Sequence, residues 1–360
     1  MRIVQIIDSL EAGGAERMAV NYANALAIEL PFAALVSTRK EGSLKQQIDG
    51  NVSYLFLQKK GAIDITAVLR LRQFCKKQNI DYLHAHSSSF FIAVLVKLSL
   101  PKIKIIWHDH DGMSEFLEQR KTFFLSVASI FFSGIISVNN KLKAWAEQKL
   151  KCKNVIYIPN FTGSGSTEQH TVLSGEKGKR ILCLANLRPQ KNHLLLVEVA
   201  KLLKKSHPDW SFHLVGKDFK DDYANVIRDS IATNGLKQYV YIYGSRNDTN
   251  AIIAQSDIAI LTSKSEGLPV SLLEYGFHKK PVVVTNVGEI PSIIKANLNG
   301  SIVENDNVNQ FYSAIVKLIE NESLRMNLGQ TLYEDIMQNY SEQAIIKKYL
   351  DWLNIVAYAK

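Results

Sequence analysis

Short apolar runs of four to six residues recur along the chain, and polar or amphipathic stretches separate them. They are continuous rather than alternating, which is typical of parallel strands buried on both faces. Segments such as residues 194–205 (LLLVEVAKLLKK) fill the gaps at helical spacing. Alternating strands and helices predict an α/β fold built on doubly wound parallel sheets. The predicted strands are residues 3–7, 33–36, 52–57, 82–85, 103–107, 135–138 and 155–158 in the first half, then 181–185, 212–215, 240–243, 258–261 and 282–285.

The alternation is interrupted once, by a polar stretch near the middle of the chain. Residues 160–180 are rich in Gly and Ser and lack a hydrophobic period, as linkers do. A length of 360 residues fits two domains. We predict a first domain over residues 1–162, a linker over 163–178 and a second domain over 179–340. Residues 341–360 read as an amphipathic helix, which we expect to cross back and pack on the first domain.

Charge is distributed unevenly between the two halves. Residues 1–165 hold 21 basic and 13 acidic side chains, or +8, whereas the remainder holds 22 and 21, or +1. A basic half suits an anionic partner such as a membrane surface, a phosphorylated ligand or nucleic acid, although solubility alone also explains it. The apolar share of 46% excludes disordered and fibrous proteins. Three cysteines without a CxxC motif exclude a disulfide framework and indicate a reducing cytosol.

An uncharged stretch at residues 122–140 approaches the length of a membrane span. It contains four serines, and Gly134 interrupts it. We therefore interpret it as a buried helix up to Phe132, followed by a strand over residues 135–138.

The segment SKSEGLPVSLLEYG (263–276) follows a predicted strand, so it lies at the carboxyl edge of a sheet, where open α/β folds bind ligands. Gly267 lets the backbone approach a ligand closely, and Pro269 suits the first turn of a helix. The amides of Gly267, Leu268 and Val270 would then form a phosphate site at the positive end of the helix dipole.

Four charged side chains are predicted to lie at this same edge of the sheet. Glu266 lies just outside the helix start, where it can bind sugar hydroxyls. Glu274 lies one to two turns inside, where it can bind both ribose hydroxyls. NLRPQKN (186–192) follows another predicted strand, and its Arg188 and Lys191 can bind a diphosphate. The alternative is a set of ordinary surface charges, but two motifs at one edge of one domain favour a ligand site.

Two further glycines, Gly13 and Gly14, separate the first predicted strand from the helix that follows. They leave room for a diphosphate or a sugar to approach the backbone amides, although a tight turn would also use them.

Taken together, these motifs resemble the family-4 retaining glycosyltransferases of the GT-B fold, over essentially the whole chain. Glu266 and Glu274 match the E-(seven residues)-E pattern of that family. Lys191 matches its diphosphate-binding lysine, and GGAER (13–17) matches its Gly-Gly loop. The resemblance implies two Rossmann-like domains that face each other across a cleft, the first binding the acceptor and the second the nucleotide sugar. Asn186 departs from the family pattern, because many members have arginine at this position. We expect Arg188 to take the role of that arginine.

The resemblance also implies roles for individual residues. It implies a reaction that uses neither a metal nor a resident cofactor, and it favours a UDP-sugar as donor. The implied catalytic residues are Lys191, Arg188, Glu266, His108 and His110. The implied donor-binding residues are Gly13, Gly14, Asn186, Gly244, Ser263, Gly267, Leu268, Pro269, Val270 and Glu274.

The segment WHDHDG (107–112) has several interpretations. Asp109 and Asp111 form a D-x-D, which binds a metal-bound nucleotide in the other glycosyltransferase fold, and a His-x-His pair can bind zinc, although no third ligand is evident nearby. The family resemblance instead implies a histidine that contacts the donor sugar, and spacing does not choose between His108 and His110. A polar loop is the remaining interpretation. His84 and His86 end the preceding strand, as hydrogen-bonded histidines or as part of an acceptor pocket.

We therefore expect a retaining transferase that moves a sugar to a hydroxyl of a lipid-linked or oligosaccharide acceptor in bacterial surface polysaccharide synthesis. Basic side chains on helix 64–79 and between residues 141 and 153 would bind an anionic lipid surface, placing the enzyme in the cytoplasm at the inner face of the membrane. A sugar-nucleotide epimerase of the same architecture is the alternative. A nucleic-acid-binding module is disfavoured, because no helix-turn-helix or interleaved aromatic–basic motif is present.

Overall fold

The computed structural model describes residues 1–111, 117–120, 122–161 and 169–358, with the backbone alone at residues 357 and 358. The chain divides into two compact units. The first comprises Met1–Gly163 and Ser341–Lys360, and the second comprises Ser164–Tyr340. Both are parallel sheets covered by helices, so the predicted α/β class is confirmed.

The first unit contains a seven-stranded parallel sheet in the order β3-β2-β1-β4-β5-β6-β7. The strands are β1 (Arg2–Ser9), β2 (Phe32–Lys40), β3 (Ser53–Phe56), β4 (Tyr82–His86), β5 (Lys104–Asp109), β6 (Gly134–Ser137) and β7 (Val155–Tyr157). The helices are α1 (Gly14–Glu29), α2 (Ile65–Lys77), α3 (Phe90–Ser99), α4 (Phe123–Ala128) and α5 (Asn140–Lys149), joined near the end of the chain by α13 (Glu342–Tyr358).

The two faces of this sheet are covered differently. Leu83 and Ala85 of β4 belong to the apolar core that α2, α3, α4 and α5 cover. Side chains alternate along a strand, so His84 and His86 point to the opposite face. There the ring of Tyr22 on α1 packs 5.1 Å from that of His84. This face therefore carries a polar cluster inside the domain.

Helix α13 packs on that second face of the first unit. The Tyr349 hydroxyl hydrogen-bonds Nδ1 of His84 at 3.0 Å. Gly134 at the start of β6 lies against Trp352, since a Cβ there would come within 2.5 Å of the indole. A residue larger than glycine at position 134 would therefore displace the helix.

The second unit contains a six-stranded parallel sheet in the order β10-β9-β8-β11-β12-β13. The strands are β8 (Arg180–Leu184), β9 (Ser211–Val215), β10 (Val240–Gly244), β11 (Ile258–Leu261), β12 (Val282–Thr285) and β13 (Ser301–Val303). The helices are α6 (His193–Ser206), α7 (Asp222–Thr233), α8 (Thr249–Ala254), α9 (Val270–Phe277), α10 (Ile290–Ile293), α11 (Val308–Glu320) and α12 (Glu322–Asn339).

The later part of the predicted linker packs on the second unit. The amides of His170 and Thr171 donate to Oδ2 of Asp248 at 2.8 and 2.6 Å, and Leu173 is buried in the core of the unit. The Asp248 carboxylate and the buried Leu173 side chain thus hold this segment on the second unit, although its composition resembles that of a linker. Residues 162–168 of the interdomain region lie outside the described residues.

The prediction of a buried helix up to Phe132 is wrong in two respects. Helix α4 ends at Ala128, and a 3-10 turn spans Ser129–Phe131. Phe123 and Phe124 are 72% and 76% exposed. The segment carries no charge to mark an exposed side, but a helix lying on a sheet buries only one stripe. In the described part of the chain, no helix combines the length and the apolar character needed to cross a membrane.

Candidate active site

The loop between β11 and α9 carries the acidic motif of the second unit. Helix α9 begins at Val270, and Pro269, with φ −70°, is its N-cap. Pro269 therefore lies one residue before the first turn, in which the sequence placed it. Glu266 is only 4% exposed. Its Oε1 accepts a hydrogen bond from the Ser263 hydroxyl at 2.6 Å, which fixes the carboxylate beside the helix start.

Lys191 meets that carboxylate from the neighbouring loop. Its Nζ lies 2.5 Å from Oε1 of Glu266. The Thr262 hydroxyl donates to the carbonyl of Lys191 at 2.9 Å, and the Lys264 amide donates to the carbonyl of Gln190 at 2.8 Å. These bonds join the loops that follow β8 and β11, which are adjacent strands. The two predicted motifs therefore meet at one edge of the sheet.

Glu274 lies on the second turn of α9 and is only 7% exposed. The next residue ties this helix to the sheet, because the Tyr275 hydroxyl accepts a hydrogen bond from the amide of Leu184 at 2.6 Å. Leu184 ends β8, the strand that leads to Lys191. Tyr275 thus sets the position of α9 relative to the lysine loop, a role that the sequence did not reveal.

The loop after β12 forms a third wall of the site. The amide of Glu289 donates to the carbonyl of Gly267 at 3.0 Å. Gly288 has φ +57°, and a Cβ there would lie 2.1 Å from the carbonyl oxygen of Glu266. Only glycine combines that conformation with so close an approach. Sequence reasoning missed Gly288, although it follows a predicted strand at the same edge.

Arg188 and Asn186 lie on the same loop as Lys191 but make different contacts. The guanidinium of Arg188 lies 4.6 Å from the ring centre of Phe219, a cation–π contact. The Asn186 side chain accepts a hydrogen bond from the Lys217 amide at 2.7 Å. Asn186 therefore supports the loop after β9. The backbone of that loop also bonds to β10, because the Gly216 amide donates to the carbonyl of Gly244 at 3.1 Å.

The two glycines of the first unit begin helix α1. Gly13 is its extended N-cap, and Gly14 is its first residue. A Cβ at Gly13 would lie 2.2 Å from the Glu16 carboxylate, whereas one at Gly14 would meet nothing within 4 Å. Glu16 folds back over the helix start, which is the helix-capping role expected of an acid in a first turn.

Four histidines form a hydrogen-bonded cluster on β4 and the end of β5. His84 Nε2 lies 3.1 Å from His108 Nδ1, and His86 Nδ1 lies 2.8 Å from His110 Nε2. The outer nitrogen of His84 meets Tyr349, and that of His86 lies 2.8 Å from the side-chain oxygen of Gln5.

Burial keeps these histidines neutral. It lowers the pKa of His84, His86 and His108 well below the usual value, and it lowers the pKa of His110 to about 3. His108 is fully buried, whereas His110 is partly exposed. Of the two histidines that the sequence left open, His110 is the one that solvent reaches.

The cluster supplies the third ligand that the zinc interpretation lacked, because nitrogens of His84, His86 and His108 lie within 4.8 Å of one another. Both nitrogens of His84 and both of His86 already have hydrogen-bond partners. A metal held by these three residues would therefore break one hydrogen bond of His84 and one of His86. The observed geometry is that of a hydrogen-bonded core.

The D-x-D motif binds a guanidinium. Asp109 is buried, and both its oxygens accept hydrogen bonds from Arg120, at 2.7 and 2.9 Å. Nε of Arg120 lies 3.2 Å from Asp111, and the guanidinium stacks 4.3 Å from the ring centre of Trp145. Burial raises the pKa of Asp109, and the hydrogen bonds from Arg120 oppose that shift. The two aspartates thus form an ion-pair network with one arginine.

Comparison with protein families matches the two halves separately. Residues 12–163 match the model described as Glycosyltransferase Family 4, and residues 166–335 match that described as Glycosyl transferases group 1. The chain is a GT-B glycosyltransferase. Neither match supports the epimerase alternative.

Among curated proteins, this glycosyltransferase is 27% identical over 224 residues to the poly(ribitol-phosphate) alpha-N-acetylglucosaminyltransferase of Staphylococcus aureus. That match covers 62% of the chain but only 44% of the staphylococcal enzyme. It is 24% identical to the UDP-Gal:alpha-D-GlcNAc-diphosphoundecaprenol alpha-1,3-galactosyltransferase of Escherichia coli, covering 73% of this chain and 72% of that enzyme.

Among solved structures, Anabaena Alr3699/HepE in complex with UDP and glucose superposes with a TM-score of 0.81. The alignment covers 98% of this chain and 99% of that one at 17% identity. Similarity at this level supports the fold, a pair of Rossmann-like domains in one chain.

Proposed function

We propose that this glycosyltransferase moves a sugar from a nucleoside diphosphate sugar to a hydroxyl of a lipid-linked saccharide during bacterial surface polysaccharide assembly, with retention at the anomeric carbon. The observation that carries the proposal is the contact between Lys191 and Glu266 at the start of α9. It places a cation, a buried carboxylate and the positive end of a helix at one point of the second unit.

Each of these groups has a role when the diphosphate departs from the donor sugar. Breaking the glycosidic bond separates a positive sugar from a departing diphosphate. Lys191, Arg188 and the amides at the start of α9 stabilise the diphosphate as fixed charges and dipoles, each key donor contributing about 3–4 kcal/mol. Glu274 binds the ribose hydroxyls. No metal is required in this scheme, and the Arg120 contacts of Asp109 and Asp111 are consistent with that.

Retention follows from attack on the face that the leaving group vacates. The acceptor hydroxyl transfers its proton to the departing phosphate oxygen as its own oxygen bonds to the anomeric carbon. Oε1 of Glu266 already accepts hydrogen bonds from Ser263 and Lys191, which lowers its nucleophilicity. Glu266 therefore orients the sugar, and no covalent intermediate forms on it. On the first unit we assign the substrate contact to His110, because His108 is fully buried.

The relatives support the choice of substrates. The E. coli relative is named for a UDP-sugar donor and a diphosphoundecaprenol-linked acceptor, and the Anabaena structure holds UDP. We therefore propose uridine as the base and a prenyl-diphosphate-linked saccharide as the acceptor.

A thermal-shift screen of the full chain against UDP, GDP, ADP and their sugars tests the donor first. UDP should raise the unfolding temperature more than GDP or ADP. The stabilising sugar is then incubated with a prenyl-diphosphate-linked N-acetylhexosamine, and the product's anomeric configuration is read by NMR. An inverted product would overturn retention, and clean epimerisation of the donor without acceptor would overturn the transferase proposal.

A further inference from the structure

Lys59 is a buried lysine at the carboxyl edge of the sheet in the first unit. Only 8% of its surface is exposed, and it lies three residues after the end of β3. Gln58 before it has φ +52°, a left-handed conformation that residues other than glycine rarely adopt. The amide of Lys59 then donates to the carbonyl of Thr38 at 2.7 Å. This turn lays the lysine against the end of β2 instead of releasing it into solvent.

The ammonium group of Lys59 lacks the contacts that partly buried lysines make elsewhere in the chain. Nζ of Lys97 donates to the carbonyl of Ile103 at 2.7 Å, and Nζ of Lys280 donates to that of Ala254 at 3.0 Å. For Nζ of Lys59, the described part of the chain supplies neither a hydrogen-bond acceptor nor a carboxylate within 4 Å. Burial lowers the pKa of Lys59. Because buried charges in proteins are almost always paired, such an ammonium group indicates a site for a ligand of negative charge.

The acidic side chains nearest to Lys59 are already hydrogen-bonded to other groups. Asp8 accepts hydrogen bonds from the hydroxyls of Thr38 and Ser88, the latter at 2.7 Å. The two oxygens of Asp64 each accept a backbone amide at 3.0 Å, which caps helix α2. Both carboxylates therefore act on the ammonium group only as charges at a distance.

A second cation lies beside this lysine. Nε of Arg39 lies 3.8 Å from Oδ2 of Asp8, and the arginine side chain is 39% exposed. The like charge of Arg39 also lowers the pKa of Lys59. Lys40 and Lys60 follow these two residues in the sequence and add two exposed cations. The chain segments that follow β2 and β3 are therefore positively charged.

The sheet order places these residues where α/β folds bind ligands. The order is β3-β2-β1-β4, so the direction in which strands are added reverses between β1 and β4. Asp8 lies on β1, and Ser88, which donates to it, follows β4. Open parallel sheets bind ligands at the carboxyl end of such a switch point. The cations around Lys59 thus lie beside the position that the topology favours for a ligand.

We propose that Lys59 and Arg39 bind a phosphate group of the acceptor and so form an anion site on the first unit. Lysine binds phosphate as a point charge, and a guanidinium can bind two of its oxygens at once. The bound phosphate would give the buried ammonium group the charged partner that the chain does not supply. This inference deepens the proposed function, since a prenyl-diphosphate-linked saccharide carries such a group, and it rests on that function for the identity of the acceptor.

Isothermal titration of the full chain with inorganic pyrophosphate tests the site, in saturating UDP so that the donor site is occupied. Lys59→Met should weaken pyrophosphate binding about tenfold or more, because a charged donor is lost. Arg39→Gln should weaken it about threefold, since this side chain is partly exposed. Lys102→Met is the matched control, because Lys102 is exposed before β5, at the opposite edge of the sheet, and should leave binding unchanged. Pyrophosphate binding that is absent from the native chain, or equal in Lys59→Met, would overturn the proposal.

Thermal unfolding without ligand separates a binding role of Lys59 from a structural one. Lys59→Met replaces a buried ammonium group by an apolar side chain of similar length, so the thermal midpoint should be unchanged or higher. Pyrophosphate added to the UDP complex should raise the midpoint of the native chain more than that of the variant. A lower midpoint for the variant without ligand would show that the folded chain already pairs the lysine, which would overturn the proposal.

Two acceptors that carry the same sugar show whether the bound phosphate belongs to the acceptor. For a prenyl-diphosphate-linked N-acetylhexosamine, Lys59→Met should raise KM about tenfold and leave kcat nearly unchanged. For the octyl glycoside of that sugar, which has no phosphate, KM should not change. An equal rise for both acceptors would overturn the proposal. So would lost pyrophosphate binding with both KM values unchanged, because the site would then bind free phosphate.

The proposed function can fail separately from this site. If the native chain transferred sugar to neither acceptor, the transferase proposal would fail, whereas the pyrophosphate titration and the thermal midpoints would still report on Lys59.

Discussion

Nζ of Lys191 lies 2.5 Å from Oε1 of Glu266, although 75 residues separate the two along the chain. The contact exists because β8 and β11 are neighbours in a parallel sheet, so the loops after them meet at one edge. Two short motifs from distant parts of the second unit come into contact in this way. The buried carboxylate holds the ammonium group at the helix start, where the proposed mechanism requires a cation.

Lys191→Ala should lower kcat about 100-fold or more, because a charged donor to the departing diphosphate is lost. Steady-state kinetics at saturating donor would measure the effect. Lys201→Ala is the control, since Lys201 pairs with Glu198 on the surface of α6 and should leave kcat unchanged. A native rate in Lys191→Ala would remove the lysine from the diphosphate site.

Glu274→Gln should weaken UDP binding by about 2 kcal/mol, roughly thirtyfold, because a charged acceptor for the ribose hydroxyls becomes neutral. Isothermal titration with UDP would measure the dissociation constant. Glu198→Gln, a surface change on α6, should leave it unchanged. If Glu274→Gln altered kcat and left UDP affinity intact, the carboxylate would act on the sugar instead of the ribose.

The α/β class and the meeting of the Lys191 and Glu266 loops were within reach of the sequence, because apolar runs mark buried parallel strands and loops at strand ends meet at one edge. The short edge strand β13 was missed, since its three residues follow the polar segment ANLNG. The exposed face of α4 was also missed, because an uncharged, mostly apolar stretch does not reveal which stripe a sheet covers. Gly288 acts through a close backbone contact between two loops, which only the folded chain displays.

Gly288→Ala tests that contact. A Cβ would meet the Glu266 carbonyl, so the loop that holds Glu266 must move, and kcat/KM should fall about 100-fold. Gly178→Ala is the matched control, since Gly178 also has a positive φ, +91°, but a Cβ there would meet nothing within 4 Å. It should lose about 1 kcal/mol of stability with its kinetics intact. Equal kinetic losses in both variants would point to backbone strain alone.

The histidine cluster makes the stability of the first unit dependent on pH. Each of the four histidines has a folded pKa below that of the unfolded chain. The unfolded chain therefore takes up protons first as the pH falls, so this stability is complete above about pH 6.5 and declines below it. Between pH 6.5 and 5.5 the loss should be about 1 kcal/mol per histidine.

Urea unfolding of the full chain, followed by tryptophan fluorescence, would measure this dependence. Of the four tryptophans, Trp107, Trp145 and Trp352 lie in the first unit, so the signal reports mainly on it. Stability should change little between pH 8.5 and 7.5, which serves as the internal reference. A free energy of unfolding that stayed constant down to pH 5.5 would mean that the buried rings are already protonated or that water reaches them.

Asp109→Asn separates the ion-pair role of the D-x-D motif from a metal role. The partly buried guanidinium of Arg120 would lose a charged partner, so the first unit should lose about 3 kcal/mol of stability, seen as a lower thermal midpoint. Chelator should not abolish transfer by the native chain, and manganese should not rescue the variant. Glu147→Gln, an exposed change on α5 beside Lys143, is the control and should leave the midpoint unchanged. Full loss of native activity in chelator, restored by manganese, would instead assign Asp109 and Asp111 to a metal that carries the nucleotide.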